Sequence, residues 1–198
     1  MQKVPVGNLN INMLSLKEKY NKEVAPKMME KFGYKNRMAV PAISKVVLNS
    51  GFGKITVGKS SDEQKKISGA IVEGISLITG QKPVITLAKK SIAGFKTRQG
   101  MPLGAMVTLR GRKMYDFIDR LINIALPRSR DFKGINNNSF DKKGNLTIAI
   151  KEDTIFPEIS PEKSKITFGF ETTIVVNAKN KEEGKELFRL LGFPIKKD

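Results

Sequence analysis

The stretch that decides the fold is residues 84–113, VITLAKKSIAGFKTRQGMPLGAMVTLRGRK. Two parts of it, Val84–Leu87 and residues 105–110, are rich in β-branched and apolar residues and predict strands. Between them, residues 89–102 are polar and contain glycine, which predicts a long loop. Strand pairs joined by loops, without one helix for every strand, indicate antiparallel pairing. The sequence therefore predicts an α+β fold, with a mostly antiparallel sheet of about five strands and helices packed on one face.

The same periodicities extend this pattern over the rest of the chain. Further strands are predicted at residues 45–49, 146–150 and 166–176. Helices are predicted at residues 14–32, 60 or 61 to 79, 113–126 and 182–191, where apolar residues recur at intervals of three and four. We expect Pro26 to kink or split the first helix, Gly80 to cap the second and Pro127 to end the third.

Length and composition predict one globular domain. The chain has 198 residues, of which 39% are hydrophobic, and this is enough for a real core. Because no internal repeat or low-complexity tract divides it, we expect a flexible extension at residues 1–13 and a single domain at residues 14–198. No run approaches the roughly 18 to 20 apolar residues that span a bilayer, and residues 1–12 lack the apolar segment of a secretory signal. These features predict a cytosolic protein with no membrane partner.

The residue types that are absent narrow the chemistry. There is no cysteine and no histidine, which excludes disulfides, zinc fingers, thiol nucleophiles and histidine-based catalytic triads. There is also no tryptophan, and aromatic residues make up only 7% of the chain, so base stacking cannot be the main mode of nucleic-acid binding. General acid–base chemistry would fall to aspartate, glutamate, lysine or tyrosine, which narrows the classes of enzyme. We predict no catalytic residue, no metal site and no cofactor.

The charge balance indicates a polyanionic partner. Lysine and arginine number 36 against 19 acidic residues, a formal net charge of +17, and such an excess is typical of nucleic-acid binding. Residues 82–133 alone hold 12 basic and 3 acidic residues, which contributes +9 to the total. With so few acidic neighbours, this segment is expected to contact phosphates rather than to form internal ion pairs. A solvated surface is the alternative interpretation of such a run.

A competing motif occupies residues 53–60. The run Gly53-Lys54-Ile55-Thr56-Val57-Gly58-Lys59-Ser60 matches the phosphate-binding loop G-x-x-x-x-G-K-[ST] at every fixed position. In that interpretation Lys59 reaches the outer phosphates of a nucleotide and Ser60 holds magnesium. The antiparallel strands argue against it, because loops of this type belong to parallel sheets built from βαβ units. An NTP-binding protein is kept as the alternative function, and a turn that caps the second helix as the structural alternative.

Several long motifs identify a family. They are GQKPVIT at residues 80–86, AKKSIAGFKTRQG at 88–100, VTLRG at 107–111, KVVLNSG at 45–51, LPR at 126–128, DFKG at 131–134, SFDKKGN at 139–145, FPEI at 156–159 and GFP at 192–194. Over roughly residues 14–198 the chain closely resembles the family of the large-subunit ribosomal protein five, in its bacterial or organellar form. Proteins of that family carry 5S ribosomal RNA.

The resemblance implies a function and a set of RNA-binding residues. Members of the family are structural constituents of the large ribosomal subunit, bind 5S rRNA through the surface of an antiparallel sheet and attach it to the central protuberance. By resemblance this role falls to four residues, each inside a matching motif: Asn49, Gln81, Thr108 and Arg110. Their chemistry suits RNA, since an amide offers a donor and an acceptor, threonine can reach a 2′-hydroxyl and arginine forks onto phosphate.

Two loops are implied to contact other parts of the ribosome. Residues 91–99 resemble the family's projection toward transfer RNA in the peptidyl site. The residues carried over there are Ser91, Gly94, Phe95, Lys96, Arg98 and Gln99. Residues 136–145 resemble the family's contact with a protein of the small-subunit head across the subunit interface. Large-subunit rRNA and other 5S-binding ribosomal proteins complete the expected partners.

Overall fold

A five-stranded antiparallel sheet forms the centre of the molecule, in a computed structural model that describes residues 15–130, 132–160 and 166–196. Its strands are β1 (Ile43–Gly51), β2 (Val84–Leu87), β3 (Pro102–Leu109), β4 (Leu146–Ile150) and β5 (Phe170–Val176). They lie in the order β2-β3-β1-β5-β4, and each neighbouring pair is antiparallel. The predicted α+β fold is confirmed. The predicted extension at residues 1–13 lies outside the described residues.

The long helices pack on one face of this sheet. The helices are α1 (Leu16–Lys19), α2 (Ala25–Phe32), α3 (Gly53–Thr56), α4 (Ser61–Thr79), α5 (Gly111–Arg120), α6 (Leu126–Arg128) and α7 (Lys181–Leu191). Alternate strand side chains, such as Leu48 in β1, Val107 in β3 and Ile174 in β5, are buried in one hydrophobic core with Ile71 and Ile75 of α4. Because successive strand residues point to opposite faces, the others form a second face, which we call the open face.

Two prolines lie inside helical segments, each after a π-helical turn. Tyr20–Val24 joins α1 to α2 ahead of Pro26, and Leu121–Ala125 joins α5 to α6 ahead of Pro127. A π turn accommodates the proline, which lacks an N–H and whose ring would otherwise meet a carbonyl one turn back. The chain stays helical from Leu16 to Phe32, so Pro26 does not split the helix, and the expected kink stays a prediction. The prediction that Pro127 ends its helix is wrong, because the helix continues through α6 to Arg128.

Pairing between strands sets several bounds that the local pattern did not predict. β3 begins at Pro102, three residues earlier than expected, because Pro102 and Gly104 pair with β2. β5 begins at Phe170 and not at residue 166, because Phe170 lies opposite Ile150, where β4 ends. β1 continues to Gly51, which pairs with Gly104 of β3. A strand therefore ends where its neighbour stops offering hydrogen bonds.

Candidate nucleic-acid interface

The open face is an exposed surface whose side chains are held in rows by the strand register. The first row crosses all five strands and consists of Val84, Met106, Asn49, Glu171 and Ala149. The next consists of Thr108, Val47, Thr173 and Thr147. Beyond it lie Lys45, which pairs with Val175, and Arg110, which directly follows β3. The spacing of these side chains is fixed by backbone hydrogen bonds and does not depend on side-chain contacts.

Three of the four residues implied to bind 5S rRNA lie on this face. Asn49 in β1 and Thr108 in β3 occupy adjacent rows, with Asn49 exposed and Thr108 half-buried. Arg110 is exposed at the end of β3, where it is the N-cap of α5. Gln81 precedes β2, and its Nε2 donates a 3.3 Å hydrogen bond to the Thr108 carbonyl oxygen. The fold therefore brings residues from three separate motifs into one region of the surface.

The open face carries fewer charges than the composition suggests. Among the described strand residues of this face and Arg110, the cations are Lys45 and Arg110, which lie in the same region. The carboxylate is Glu171, two rows away. The surface thus offers amides, hydroxyls and small apolar groups more than it offers positive charge. Such a surface is suited to contacts with sugars and base edges, while phosphates are bound at its margins.

The uncharged residues of this face were not predicted from the sequence as part of an RNA-binding site. Val84 and Met106 are cross-strand partners and are 69% and 40% exposed. Thr147 and Thr173 also pair across strands, with their hydroxyl oxygens 3.2 Å apart. Alternation could have found part of this set, because every second residue of β3 shares the face of Thr108. It could not have shown which strands are neighbours.

Residues 88–101, which we call the basic loop, form an ordered extension between β2 and β3. At its base the Ala88 N–H donates to the Met101 carbonyl at 2.8 Å. Further out, Ile92 and Thr97 bond to each other in both directions, at 3.1 and 3.2 Å. A 3₁₀ turn lies between these two residues. The predicted loop therefore has a backbone structure of its own.

The six residues implied to face transfer RNA lie at the exposed end of the basic loop. They are Ser91, Gly94, Phe95, Lys96, Arg98 and Gln99, each of them exposed. Phe95 is 70% exposed, so it is not an anchor in the core. Lys96 adopts a left-handed φ of 50°, and the Gln99 N–H donates to Ser91 Oγ at 2.9 Å. A Cβ added to Gly94 would meet no atom within 4 Å.

Cations near α5 differ from those of the basic loop in having internal partners. Arg112 lies 3.6 Å from the Asp116 carboxylate, and Arg120 forms an ion pair with Glu158. Lys113 donates a 2.6 Å hydrogen bond to the carbonyl oxygen of Gly80, the residue that caps α4. The expectation that internal partners would be nearly missing from residues 82–133 is therefore wrong for these three side chains.

The basic loop matches that expectation. Its cationic side chains are all exposed, and none forms an ion pair or hydrogen bond with a residue that the structure describes; they are Lys89, Lys90, Lys96 and Arg98. Four like charges on one short hairpin repel each other in the free protein, so an anion bound there lowers their energy. The loop thus presents four exposed, unpaired cations and no carboxylate within residues 88–101.

The loop at residues 136–145 is held in shape and fastened to α7. Asp141 accepts hydrogen bonds from the backbone and side-chain N–H groups of Asn145, at 2.7 and 2.6 Å. Desolvation acts to raise the pKa of Asp141, but the bonds from Asn145 outweigh it and the pKa is lowered. Gly144 touches Gly184 of α7 so closely that a Cβ on Gly184 would lie 2.5 Å from the Gly144 carbonyl oxygen.

Residues 53–60 do not have the geometry of a phosphate-binding loop. The amides of this turn bond internally, as the Val57 N–H does to the Gly53 carbonyl at 3.0 Å. Ser60 is the N-cap of α4: its N–H donates to the Glu63 carboxylate at 3.0 Å, and its Oγ accepts from the Glu63 N–H. The bonds that Ser60 donates to this carboxylate, from its N–H and from its Oγ–H, lower the pKa of Glu63. A carboxylate therefore occupies the helix N-terminus that a nucleotide phosphate needs, and the capping-turn interpretation is the one that fits.

Comparison with known proteins identifies the family. Residues 36–98 match the family described as ribosomal protein L5, and residues 102–195 match the ribosomal L5P family C-terminus. The large ribosomal subunit protein uL5 of Alkaliphilus oremlandii is 54% identical over 185 residues, covering 93% of this chain and 100% of its own. The chain belongs to the uL5 family.

Other uL5 proteins show the same extent of similarity. That of Geotalea daltonii is 53% identical over 184 residues, covering 93% of this chain and 99% of its own. That of a Thermoanaerobacter species is 54% identical over 185 residues, covering 93% and 100%. As a uL5 family member, the protein is a structural component of the large ribosomal subunit and not an enzyme.

Two further properties hold for the part of the chain that the structure describes. No helix there is long and apolar enough to cross a membrane. No group of three or more acidic side chains there is arranged to hold a metal ion.

Proposed function

We propose that this uL5 family member binds 5S rRNA through its open face and attaches it to the central protuberance of the large subunit. The observation that supports this most is the convergence of Asn49, Gln81, Thr108 and Arg110, which come from three separate motifs, on one exposed region. In this proposal residues 14–198 act as one rRNA-binding domain.

The neutral character of the open face suits double-helical RNA. A-form RNA has a wide, shallow minor groove that displays 2′-hydroxyls and base edges, and a broad sheet surface can contact it. The amides of Asn49 and Gln81 offer donors and acceptors, and the Thr108 hydroxyl can bond a 2′-hydroxyl. The Arg110 guanidinium, at the margin of the face, can fork onto a phosphate. Phosphate contacts supply affinity, and groove contacts fix the position of the RNA.

The basic loop is assigned in the same proposal to transfer RNA in the peptidyl site. Its four unpaired cations and the exposed Phe95 project from the end of the sheet and are not consumed by internal contacts. Residues 136–145, fastened to α7, are assigned to a protein of the small-subunit head. Large-subunit rRNA and other 5S-binding proteins are the remaining partners that the proposal expects.

Competition for bound RNA tests the main proposal. The full-length protein is loaded with labelled 5S rRNA at near-physiological ionic strength, and unlabelled 5S rRNA or an unrelated structured RNA of equal length is titrated in. We expect 5S rRNA to displace the label at a concentration at least about 100-fold lower than the unrelated RNA. Equal displacement by both RNAs would mean that the protein recognises charge alone, and the proposal would fail.

A further inference from the structure

Glu171 is an unexpected residue on a surface that binds a polyanion. It is the single carboxylate among the described strand residues of the open face, and it is exposed in the first row. Its register partners are Asn49 in β1 and Ala149 in β4. Its carboxylate forms no ion pair or hydrogen bond with any described residue. The sheet thus fixes an unpartnered negative charge beside an amide.

Lys45 and Arg110, the cations beside the other implied RNA-binding residues, lie at the far end of the face from this charge. Lys45 is opposite Val175, four residues along β5 from Glu171. At about 3.3 Å per residue, the Cα atoms of Val175 and Glu171 are about 13 Å apart along β5. Among the described residues no ion pair joins Glu171 to Lys45, to Arg110 or to Lys151, which follows β4 two residues beyond Ala149. The face therefore has Lys45 and Arg110 at one end and Glu171 toward the other.

The two ends select different groups of an RNA helix. A phosphate beside Glu171 would be repelled, whereas a phosphate beside Lys45 and Arg110 would be bound. A carboxylate accepts hydrogen bonds and donates none. The groups that fit it are therefore donors, and in the shallow groove of RNA these are the exocyclic amino group of guanine and the ribose 2′-hydroxyl. Val84, Met106 and Ala149, in the same row, suit the apolar edges of sugars.

We propose that Glu171 accepts a hydrogen bond from a groove-edge donor of the bound RNA, and that Asn49 and Glu171 together contact one nucleotide step there. The inference rests on the proposed binding of 5S rRNA by the open face. It assigns the first row to base and sugar edges, and it fixes which way the RNA backbone runs, since phosphates lie toward Lys45 and Arg110.

A charge-matched pair of variants tests the contact. Glu171→Gln removes the charge on the open face, and Glu73→Gln removes one from an exposed position of α4, on the helical side of the sheet. Both raise the net charge equally, so any general attraction to RNA rises equally. We expect Glu171→Gln to weaken 5S rRNA binding about tenfold, while Glu73→Gln binds as tightly as the unchanged protein or slightly more tightly. If Glu171→Gln binds as well as Glu73→Gln, the inference is overturned.

A second variant covers the case of a nearby phosphate. Glu171→Lys places a cation at the same exposed position, where it adds no buried volume. If a phosphate lies there, this variant binds more tightly and with a steeper salt dependence. If a donor lies there, it binds more weakly than Glu171→Gln, which is the expected result. Thermal unfolding of each variant shows whether its fold is intact.

Changes in the RNA distinguish the two donors. Single guanosines of 5S rRNA are replaced by inosine, which lacks the amino group, and single nucleotides by their 2′-deoxy forms. One replacement is expected to reduce the tenfold effect of Glu171→Gln to about onefold, because the partner is already missing. If none does, the inference fails. If the unchanged protein does not prefer 5S rRNA at all, the proposed function itself fails; a selective protein that is insensitive at Glu171 removes only this inference.

Discussion

The open face and the basic loop meet at the β2–β3 hairpin, yet they are held by different contacts and present different chemical groups. The open face is fixed by ladders across five strands and presents two cations, one carboxylate and many neutral groups. The basic loop is fixed by a few bonds of its own and presents four unpaired cations. The side chains of the open face are held in fixed positions but carry little charge. The basic loop carries more positive charge on a backbone held by fewer hydrogen bonds. RNA recognition on the sheet should therefore depend on geometry, and contact through the loop on salt.

Replacing one glycine in the sheet and one in the basic loop should give the largest difference in stability between the two regions. Gly104 lies in β3, where a Cβ would be 2.8 Å from the Ser50 carbonyl oxygen and 2.8 Å from Thr86 Oγ1. Because backbone must shift to admit it, we expect Gly104→Ala to lower the free energy of unfolding by about 2 to 3 kcal/mol. Gly94→Ala in the basic loop meets open space and should change it by less than about 0.5 kcal/mol. Urea denaturation measures both, and equal losses would show that the loop is as tightly packed as the sheet.

The sequence predicted the sheet because alternating apolar residues had one core to fill. Leu48, Val107 and Ile174 lie where that pattern requires them. It did not predict strand order, which depends on contacts far apart in the chain. It also did not predict that the helix continues past Pro127, because a π turn that accommodates a proline leaves no mark in the periodicity.

The RNA-binding roles of the named residues remain a prediction, and the sequence did not predict how few charges their surface carries. Motifs supplied Asn49, Thr108 and Arg110, and the register brings them together. The charge count suggested a strongly basic surface, but side chains such as Lys113 and Arg120 are engaged inside the protein. Counting charges along a sequence cannot show which cations have internal partners.

Arginine substitutions sharpen the comparison at the level of RNA binding. Arg110→Ala should weaken 5S rRNA binding by about 1 to 3 kcal/mol and reduce the slope of log affinity against log salt by about 1, because a phosphate contact is lost. The fold should be unchanged, since Arg110 is exposed. Arg98→Ala, which removes a cation from the basic loop, should leave 5S affinity nearly unchanged and impair translation instead. Titrations at several salt concentrations measure the slope. If Arg98→Ala lost 5S rRNA binding, the basic loop would be part of the 5S rRNA-binding surface, and the division into two surfaces would be wrong.

Lowering the pH should have a smaller effect, which is expected at a buried carboxyl beside the sheet and not in the basic loop. Asp153, buried beside the start of β5, has its pKa raised by desolvation, while its Oδ1 accepts from the Phe168 N–H at 3.4 Å. The folded state therefore holds this proton more tightly than the unfolded state, and the carboxyl favours folding more as pH falls toward its ordinary value of 3.8. Asp153→Asn should lose this pH dependence while keeping an acceptor for Phe168.

The measurement is the free energy of unfolding at pH 7 and near pH 4. As the pH falls, we expect the free energy of unfolding of the unchanged protein to rise relative to that of the Asp153→Asn variant. The basic loop contains no carboxylate, so Lys96→Gln and Arg98→Gln should show no such pH-dependent difference. A constant gap between Asp153→Asn and the unchanged protein would mean that the carboxyl is not desolvated as described.

Protection of single thiols by RNA tests the central claim most directly. The chain contains no cysteine, so Ala149→Cys on the open face and Gly94→Cys in the basic loop each introduce one exposed thiol. The rate of maleimide alkylation is measured with and without saturating 5S rRNA. The account predicts that 5S rRNA slows alkylation of the Ala149→Cys protein and leaves that of the Gly94→Cys protein unchanged. Protection of the loop thiol with a fully reactive thiol on the open face would contradict it.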